Sequence, residues 1–559
     1  MEFLLFIFFI LFTLVSILGF GKLFEFIFFD KNEKYQIGLT GFFGLFFLSS
    51  ISYATHLFTP HNYIHNSILF FIGIFLYIYF FIKKSINFEK THYVIFFFLL
   101  IGVFLAKSHD DFGYYHLPNA LHFAQNKLEF GLGNLNHGFK HHSSLFYLYS
   151  IFILPFIEVY LINVLNFFFL FFSVIFLSDN IFKDLKKNKF DNSSLISIVF
   201  LILFISVFNR IGEYGTDITG QILAGTLIYF SMKIILRKEI NINNILIIFA
   251  LLVYLITIKT YFIVYIFLPI ILFIYKENKF NILKDIFLSK VFFFSVFIGI
   301  IFSVINISAT GCIIFPIKNL CFPNLFPWGL NLDTVSYLST WYEIWSKAGA
   351  GPDFRVEDPS AYIKNFNWIG NWTNKYFFTK VSDFLLAVFV SLLLVYLFFK
   401  KNLKLSYISN FKKNFLLYFL VLILFILWFL KFPSLRYGGY ILVISIIVMP
   451  FSFLFKFEDL DYRKLKRNFL ILFAISILIF VSRNITRINK EFVYSAVENF
   501  KSFPFFYIKK TNYVEEIIND QKFYIVTNSS CWSTPTPCLR NTNIEIYNKF
   551  NYRFYEKNK

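Results

Sequence analysis

Asp110 and Asp111 stand side by side in the polar stretch Lys107–Ser144, followed closely by Tyr114, Tyr115 and His116. A carboxylate where a hydrophobic helix meets water is costly to desolvate, so such a pair invites a functional reading. One carboxylate there can take the proton of an acceptor hydroxyl. The second can raise its neighbour's pKa, or hold a divalent cation against phosphate, with His109 as a further ligand. The plainer reading is a helix-end pair that caps and solvates. No diagnostic metal-ligand spacing accompanies it, so the cofactor stays unassigned, a divalent cation being the one candidate.

The histidines are placed unevenly. His56, His61 and His65 flank one short loop, and His109, His116, His122, His137, His141 and His142 lie in or beside the next, leaving only His92 elsewhere. An imidazole can contact phosphate or sugar, and His137, His141 and His142 are candidates for that work. Polar groups that tolerate partial burial at an interface explain the same pattern. A third element is Arg436-Tyr437, just after Pro433 at the start of a late apolar segment. An arginine there can grip a lipid-borne phosphate bidentately, or simply snorkel to anchor a helix end. Five of the seven tryptophans, Trp328, Trp341, Trp345, Trp368 and Trp372, fall in residues 309–380, as a sugar-stacking cleft or a membrane belt would place them.

What must position these groups is a bundle of membrane helices. Hydrophobic residues make up 57% of the 559, mean hydropathy is +0.64, and apolar runs of bilayer-spanning length recur along the chain. The 87 phenylalanines reflect mainly a composition rich in Phe, Ile, Lys and Asn together, as AT-rich codons produce. The net charge of +19 is gathered in short loops such as Lys183–Lys189 and Lys400–Lys404. That is the positive-inside pattern rather than a nucleic-acid surface, so no nucleic-acid partner is expected.

With the basic loops inside, the fold class is an all-α polytopic membrane protein of about fourteen transmembrane helices with both termini outside. Transmembrane helices occupy 1–106, 159–308 and 381–482, with 107–158 as a first large outer loop and 309–380 as a second. Within the first loop, 144–157 reads as a re-entrant or interfacial helix. Residues 483–559 read as a small extracytoplasmic α/β segment, helical over Val514–Asn519 and strand-like over Lys522–Thr527. All four cysteines fall in outer segments. An even count on one side suggests two short-loop disulfides, Cys312–Cys321 and Cys531–Cys538, in an oxidising compartment.

The order His109-Asp110-Asp111, Tyr114-Tyr115-His116, then a late Arg436-Tyr437, resembles the GT-C superfamily of integral-membrane glycosyltransferases that use polyprenyl-phosphate-linked sugars. Gly131–His137 followed by His142-Ser143-Ser144 looks like uncharacterised bacterial multi-pass proteins grouped near it. The resemblance implies a many-span bundle, one of Asp110 and Asp111 as catalytic base, and Arg436 on the carrier phosphate. Two departures stand: the acidic loop follows the fourth helix rather than the first, and superfamily pairs are often Asp-Glu.

The expectation is therefore a glycosyltransferase of a bacterial inner membrane, working on the periplasmic face. It would move a sugar from a polyprenyl-phosphate carrier to a lipid, glycan or protein acceptor. Tyr114, Tyr115, His116, His137, His141, His142, Arg436 and Tyr437 would line the carrier site. A surface-polysaccharide polymerase or ligase would rely on outer arginines and histidines without the Asp pair. A transporter or flippase would carry ionisable groups near mid-helix and repeat symmetry.

Overall fold

A computed structural model describes residues 2–30, 33–106, 111–157, 164–213, 215–275, 279–349, 356–405, 409–458, 460–494, 505–506, 511–519, 521–526, 530–539 and 544–557. His109 and Asp110 lie outside the described residues.

The chain is mainly helical. It begins α1 (Glu2–Phe28), α2 (Ile37–His56), α3 (Tyr63–Ile82), α4 (Lys90–Leu100), α5 (Leu117–Gln125) and α6 (Ser144–Ile151). It continues α7 (Val164–Lys186), α8 (Asn192–Val207), α9 (Thr216–Arg237), α10 (Ile242–Ile258), α11 (Phe267–Ile274), α12 (Lys279–Phe287) and α13 (Lys290–Thr310). Then follow α14 (Leu332–Lys347), α15 (Pro359–Ile363), α16 (Ile369–Trp372), α17 (Ser382–Phe399), α18 (Ser409–Lys431), α19 (Gly439–Leu454) and α20 (Tyr462–Tyr494).

Among the described residues, eight helices are long and apolar enough to cross a membrane, and six further apolar helices are shorter. Each of the fourteen segments read from hydropathy falls on one of these helices. The most enclosed are α7 and α9, each with 94% of its apolar window buried, whereas α3 has 28%. The bundle is thus built around α7 and α9, while α3, α17 and α20 keep broad apolar faces outward, as a lipid-facing layer requires.

The two ends of the bundle differ. The end carrying the Lys183–Lys189 loop is tied by Arg237, which reaches Asp184 at 2.6 Å and Asp191 at 3.1 Å. Asp191 also opens α8 by accepting from the Ser193 and Ser194 amides. The opposite end carries both disulfides, Cys312–Cys321 and Cys531–Cys538, formed as the sequence suggests. There α6 is only eight residues, every one buried. It is too short to span a bilayer and lies inside the protein rather than along an interface.

Among the described residues there are also nine short strands: β1 (Leu105–Ala106), β2 (Leu403–Leu405), β3 (Phe455–Phe457), β4 (Phe505–Phe506), β5 (Val514–Ile518), β6 (Gln521–Ile525), β7 (Cys538–Leu539), β8 (Ile544–Lys549) and β9 (Tyr552–Lys557). The helical patch expected at Val514–Asn519 is instead β5, paired antiparallel with β6 across the Asn519 turn. Its β-branched residues and the neighbouring strand-forming run decide it, because a four-to-five-residue helix has too little length to offset its nucleation. The described residues beyond α20 are strands and turns, and α20 itself runs on to Tyr494.

The strands dock on the 107–143 loop. The Phe130 amide donates to the Arg553 carbonyl at 2.8 Å, and the Tyr555 amide to the Phe130 carbonyl at 2.9 Å. Glu129, buried beneath, takes Arg553 at 2.5 Å, the Tyr555 hydroxyl at 3.0 Å and His122 at 2.9 Å.

Candidate functional site

The first element of the site is a widened turn. Phe112–His116 is π-helical and runs straight into α5, with the Leu117 amide donating to the Phe112 carbonyl. Pro118 has no amide proton for the carbonyl one turn back, so ordinary helix hydrogen bonding cannot continue there. The Asn119 side-chain amide instead donates to the Tyr115 carbonyl at 2.6 Å. Asp111 sits at the mouth of this turn. Short π-helical segments are frequent at functional sites.

The second element is the loop before α19. The Trp372 indole donates to the Pro433 carbonyl at 2.7 Å and the Trp428 indole to the Ser434 carbonyl at 2.9 Å. The Leu435 amide donates to the Tyr376 hydroxyl at 2.9 Å. Gly438 then turns the chain with φ +90°, a region a side chain disfavours, and releases Arg436-Tyr437 at the helix entrance. The Gln221 side chain donates to the Arg436 carbonyl at 3.0 Å, fixing the loop against α9.

These elements bring together an ionic cluster. The Arg436 guanidinium donates through Nη2 to Asp111 and through Nε to Asp217. Asp217, in the first turn of α9, also accepts from the Lys259 ammonium. Asp217 is 5% exposed, while Arg436 and Asp111 are 27% and 23% exposed. A buried carboxylate thus anchors two cations from below, and the Asp111–Arg436 contact opens outward. Among the described residues, Arg436 Nη1 is left without a protein hydrogen bond.

An aromatic wall surrounds the cluster. The Lys259 ammonium lies 4.6 Å from the Tyr437 ring centre and Arg436 lies 5.7 Å from that of Trp345. Tyr437 meets Trp345 edge-on at 5.8 Å. From the same helix, α14, the Tyr342 hydroxyl bridges His141 Nε2 at 2.6 Å and His137 Nε2 at 3.0 Å. Tyr115 packs on His141 at 5.7 Å and Tyr114 on His137 at 5.8 Å. Burial, reinforced by His137, Lys259 and Lys140, pushes the His141 imidazole well below its usual range, so it is neutral at pH 7. Burial raises the Tyr115, Tyr342 and Tyr437 phenols, which stay protonated.

Of the residues singled out from sequence, Asp111, Tyr114, Tyr115, His137, His141, Arg436 and Tyr437 gather around this cluster. His116 and His142 turn into the packed interior instead, against Phe146 at 5.1 Å and Phe123 at 6.2 Å. His142 is held down to about 4 chiefly by burial, so it contributes no charge at neutral pH. Of the five loop tryptophans, Trp345 borders Arg436. Trp328 packs on Phe130 and Phe554, and Trp368 and Trp372 on Phe429.

Asp217 and Lys259 are not among the residues singled out from sequence. Lys259 is visible there as a lone cation between two short apolar runs, and Asp217 as an acid in the first turn of a span. Both are costly placements that need a partner. Among the described residues no group of three or more His, Cys, Asp or Glu is placed to hold a metal ion. Among the described residues, the Arg436 guanidinium is a positive charge beside Asp111.

No curated protein and no solved structure matches the chain. A family described as a domain of unknown function (DUF8201) matches residues 1–444, a span that takes in the whole ionic cluster and ends before the Cys531–Cys538 region. The chain belongs to the DUF8201 family.

Proposed function

We propose that this is a membrane glycosyltransferase that moves a sugar from a polyprenyl-phosphate carrier to a lipid, glycan or protein acceptor. The observation that carries the reading is Arg436 fixed between Asp111 and Asp217, with an aromatic wall beside it. This is what a transfer needing a phosphate clamp next to a base would use. Arg436 Nη1 takes a carrier phosphate oxygen, and Asp111 takes the proton of the acceptor hydroxyl. The hydroxyl oxygen forms its bond to the sugar's anomeric carbon as the bond from that carbon to the phosphate oxygen breaks. The departing phosphate keeps the electron pair, which Arg436 and the nearby Lys259 stabilise.

In this reading the fourteen apolar helices all cross the inner membrane of a bacterium, basic loops inside, and the cluster faces the periplasm. The disulfides at the Asp111 end fit an oxidising exterior. The similarity to GT-C enzymes at His109–His116 and Arg436-Tyr437 supports the same assignment. Against a transporter, two of the buried ion pairs lie at helix ends, Asp217 with Lys259 at one and Arg237 with Asp184 at the other.

The test is transfer of radiolabelled sugar from polyprenyl-phosphate donors in membranes holding wild type or Asp111→Asn. Loss of about a hundredfold or more in the variant, at equal protein level, supports the assignment. Wild-type transfer by Asp111→Asn overturns it in favour of a polymerase or ligase that works through Arg436 and the histidines.

A further inference from the structure

An open cleft of about 130 Å³ between α8, α17 and α20 is lined by apolar and small side chains, among them Ile202, Val390, Leu394, Leu472 and Ile479, with Arg483 also at its wall. An apolar cleft of this size takes a hydrocarbon fragment. Along α20, Leu472 and Arg483 are eleven residues apart, about 16 Å of helix, close to the thickness of one leaflet's hydrocarbon.

Arg483 marks one end. Its Nη1 donates to the Ser206 carbonyl at 2.8 Å, in the last turn of α8, and the side chain is otherwise exposed. It has no carboxylate partner among the described residues, unlike its neighbour Arg487, which reaches Glu213 at 2.8 Å. Arg210, 61% exposed and only loosely paired with Glu213 at 3.6 Å, adds positive charge in the same region. An uncompensated guanidinium at the water end of a chain-width apolar cleft is complementary to a phosphate whose hydrocarbon tail lies below it.

We propose that this cleft binds one anionic phospholipid of the outer leaflet, an acyl chain between α8, α17 and α20 and the phosphate on Arg483. The inference rests on the membrane orientation given above and not on the transfer chemistry.

The test is native mass spectrometry of the full chain, released from nanodiscs holding equal phosphatidylglycerol and phosphatidylcholine. Wild type is expected to retain one phosphatidylglycerol preferentially. Arg483→Gln should lower that retention about tenfold and Arg483→Lys should keep most of it. Ser391→Leu, which places bulk in the cleft, should lower retention of either lipid while leaving the melting temperature near wild type. Equal retention of the two lipids by wild type, or phosphatidylglycerol retention unchanged in both Arg483→Gln and Ser391→Leu, overturns the proposal. Sugar transfer by the Asp111 variant does not depend on either result, so lipid binding and sugar transfer can fail independently.

Discussion

Trp532 lies directly against Gly113: its backbone amide donates to the Gly113 carbonyl at 2.7 Å, and a Cβ on Gly113 would come within 2.2 Å of its indole. Gly113 is two residues from Asp111, so the disulfide-closed Cys531–Cys538 loop presses on the turn that carries the candidate base. Gly113→Ala must therefore displace either the loop or the turn. The expected cost is about 1–3 kcal/mol, the range for overpacking. A thermal melt in detergent reads the loss, and a red-shifted Trp532 emission would report the displaced indole.

Removing the disulfide should reach the same turn from the other side. Cys531→Ser with Cys538→Ser is expected to lower stability by roughly 2–4 kcal/mol, the usual range for a native cross-link. The Asn136 side chain, which donates to the Cys538 carbonyl at 3.0 Å, loses a fixed partner in that variant. Faster hydrogen exchange at residues 112–116 in the double variant is the checking measurement. Unchanged exchange there would show that the loop does not brace the turn.

Asp217 anchors two cations, so its removal should cost more than the removal of either cation. Asp217→Ala leaves Arg436 and Lys259 adjacent with their shared counter-charge gone. The expected penalty is about 3–5 kcal/mol, as for a broken buried pair. Asp217→Ala combined with Lys259→Met should recover part of it, because one unpaired charge is gone. Melting temperatures of the two variants decide the order.

Acid should loosen the histidine-rich loop. His142 is held down to about 4 in the folded protein by burial, against about 6.5 in an unfolded chain. Below pH 6.5 the unfolded state binds a proton that the folded state refuses, so stability falls as pH drops from 6.5 towards 4. Above pH 7 both states are neutral at this site and no change follows from it. The single group contributes up to roughly 3 kcal/mol across that window. His142→Phe should lessen the fall in melting temperature between pH 6.5 and 4.5, with the buried His141 keeping part of it.

The bundle was legible because hydropathy acts locally: each apolar run read from the sequence falls on a helix. Arg436 and Asp111 were legible as expensive charges at helix ends. Their pairing was not, because it spans a separation of 325 residues and depends on packing that no local pattern encodes. Asp217 escaped notice for the same reason, since a single acid in an otherwise apolar helix has meaning only beside its partners. The Val514–Ile518 strand was misread because a five-residue run is too short for periodicity to separate helix from strand, whereas its pairing with Gln521–Ile525 decides the matter. His142 shows the converse error, for a histidine among polar neighbours in sequence packs against Phe123 in the fold.

Arg436 and Asp111 are assigned different tasks, and one pair of measurements on the same two variants separates them. Binding of a polyprenyl-phosphate sugar donor and the rate of sugar transfer would be measured for Arg436→Ala and Asp111→Asn in reconstituted membranes. Arg436→Ala is expected to weaken donor binding at least tenfold. Asp111→Asn is expected to bind donor within a few-fold of wild type yet transfer about a hundredfold more slowly. Wild-type donor binding by Arg436→Ala, or wild-type transfer by Asp111→Asn, would contradict the assignment.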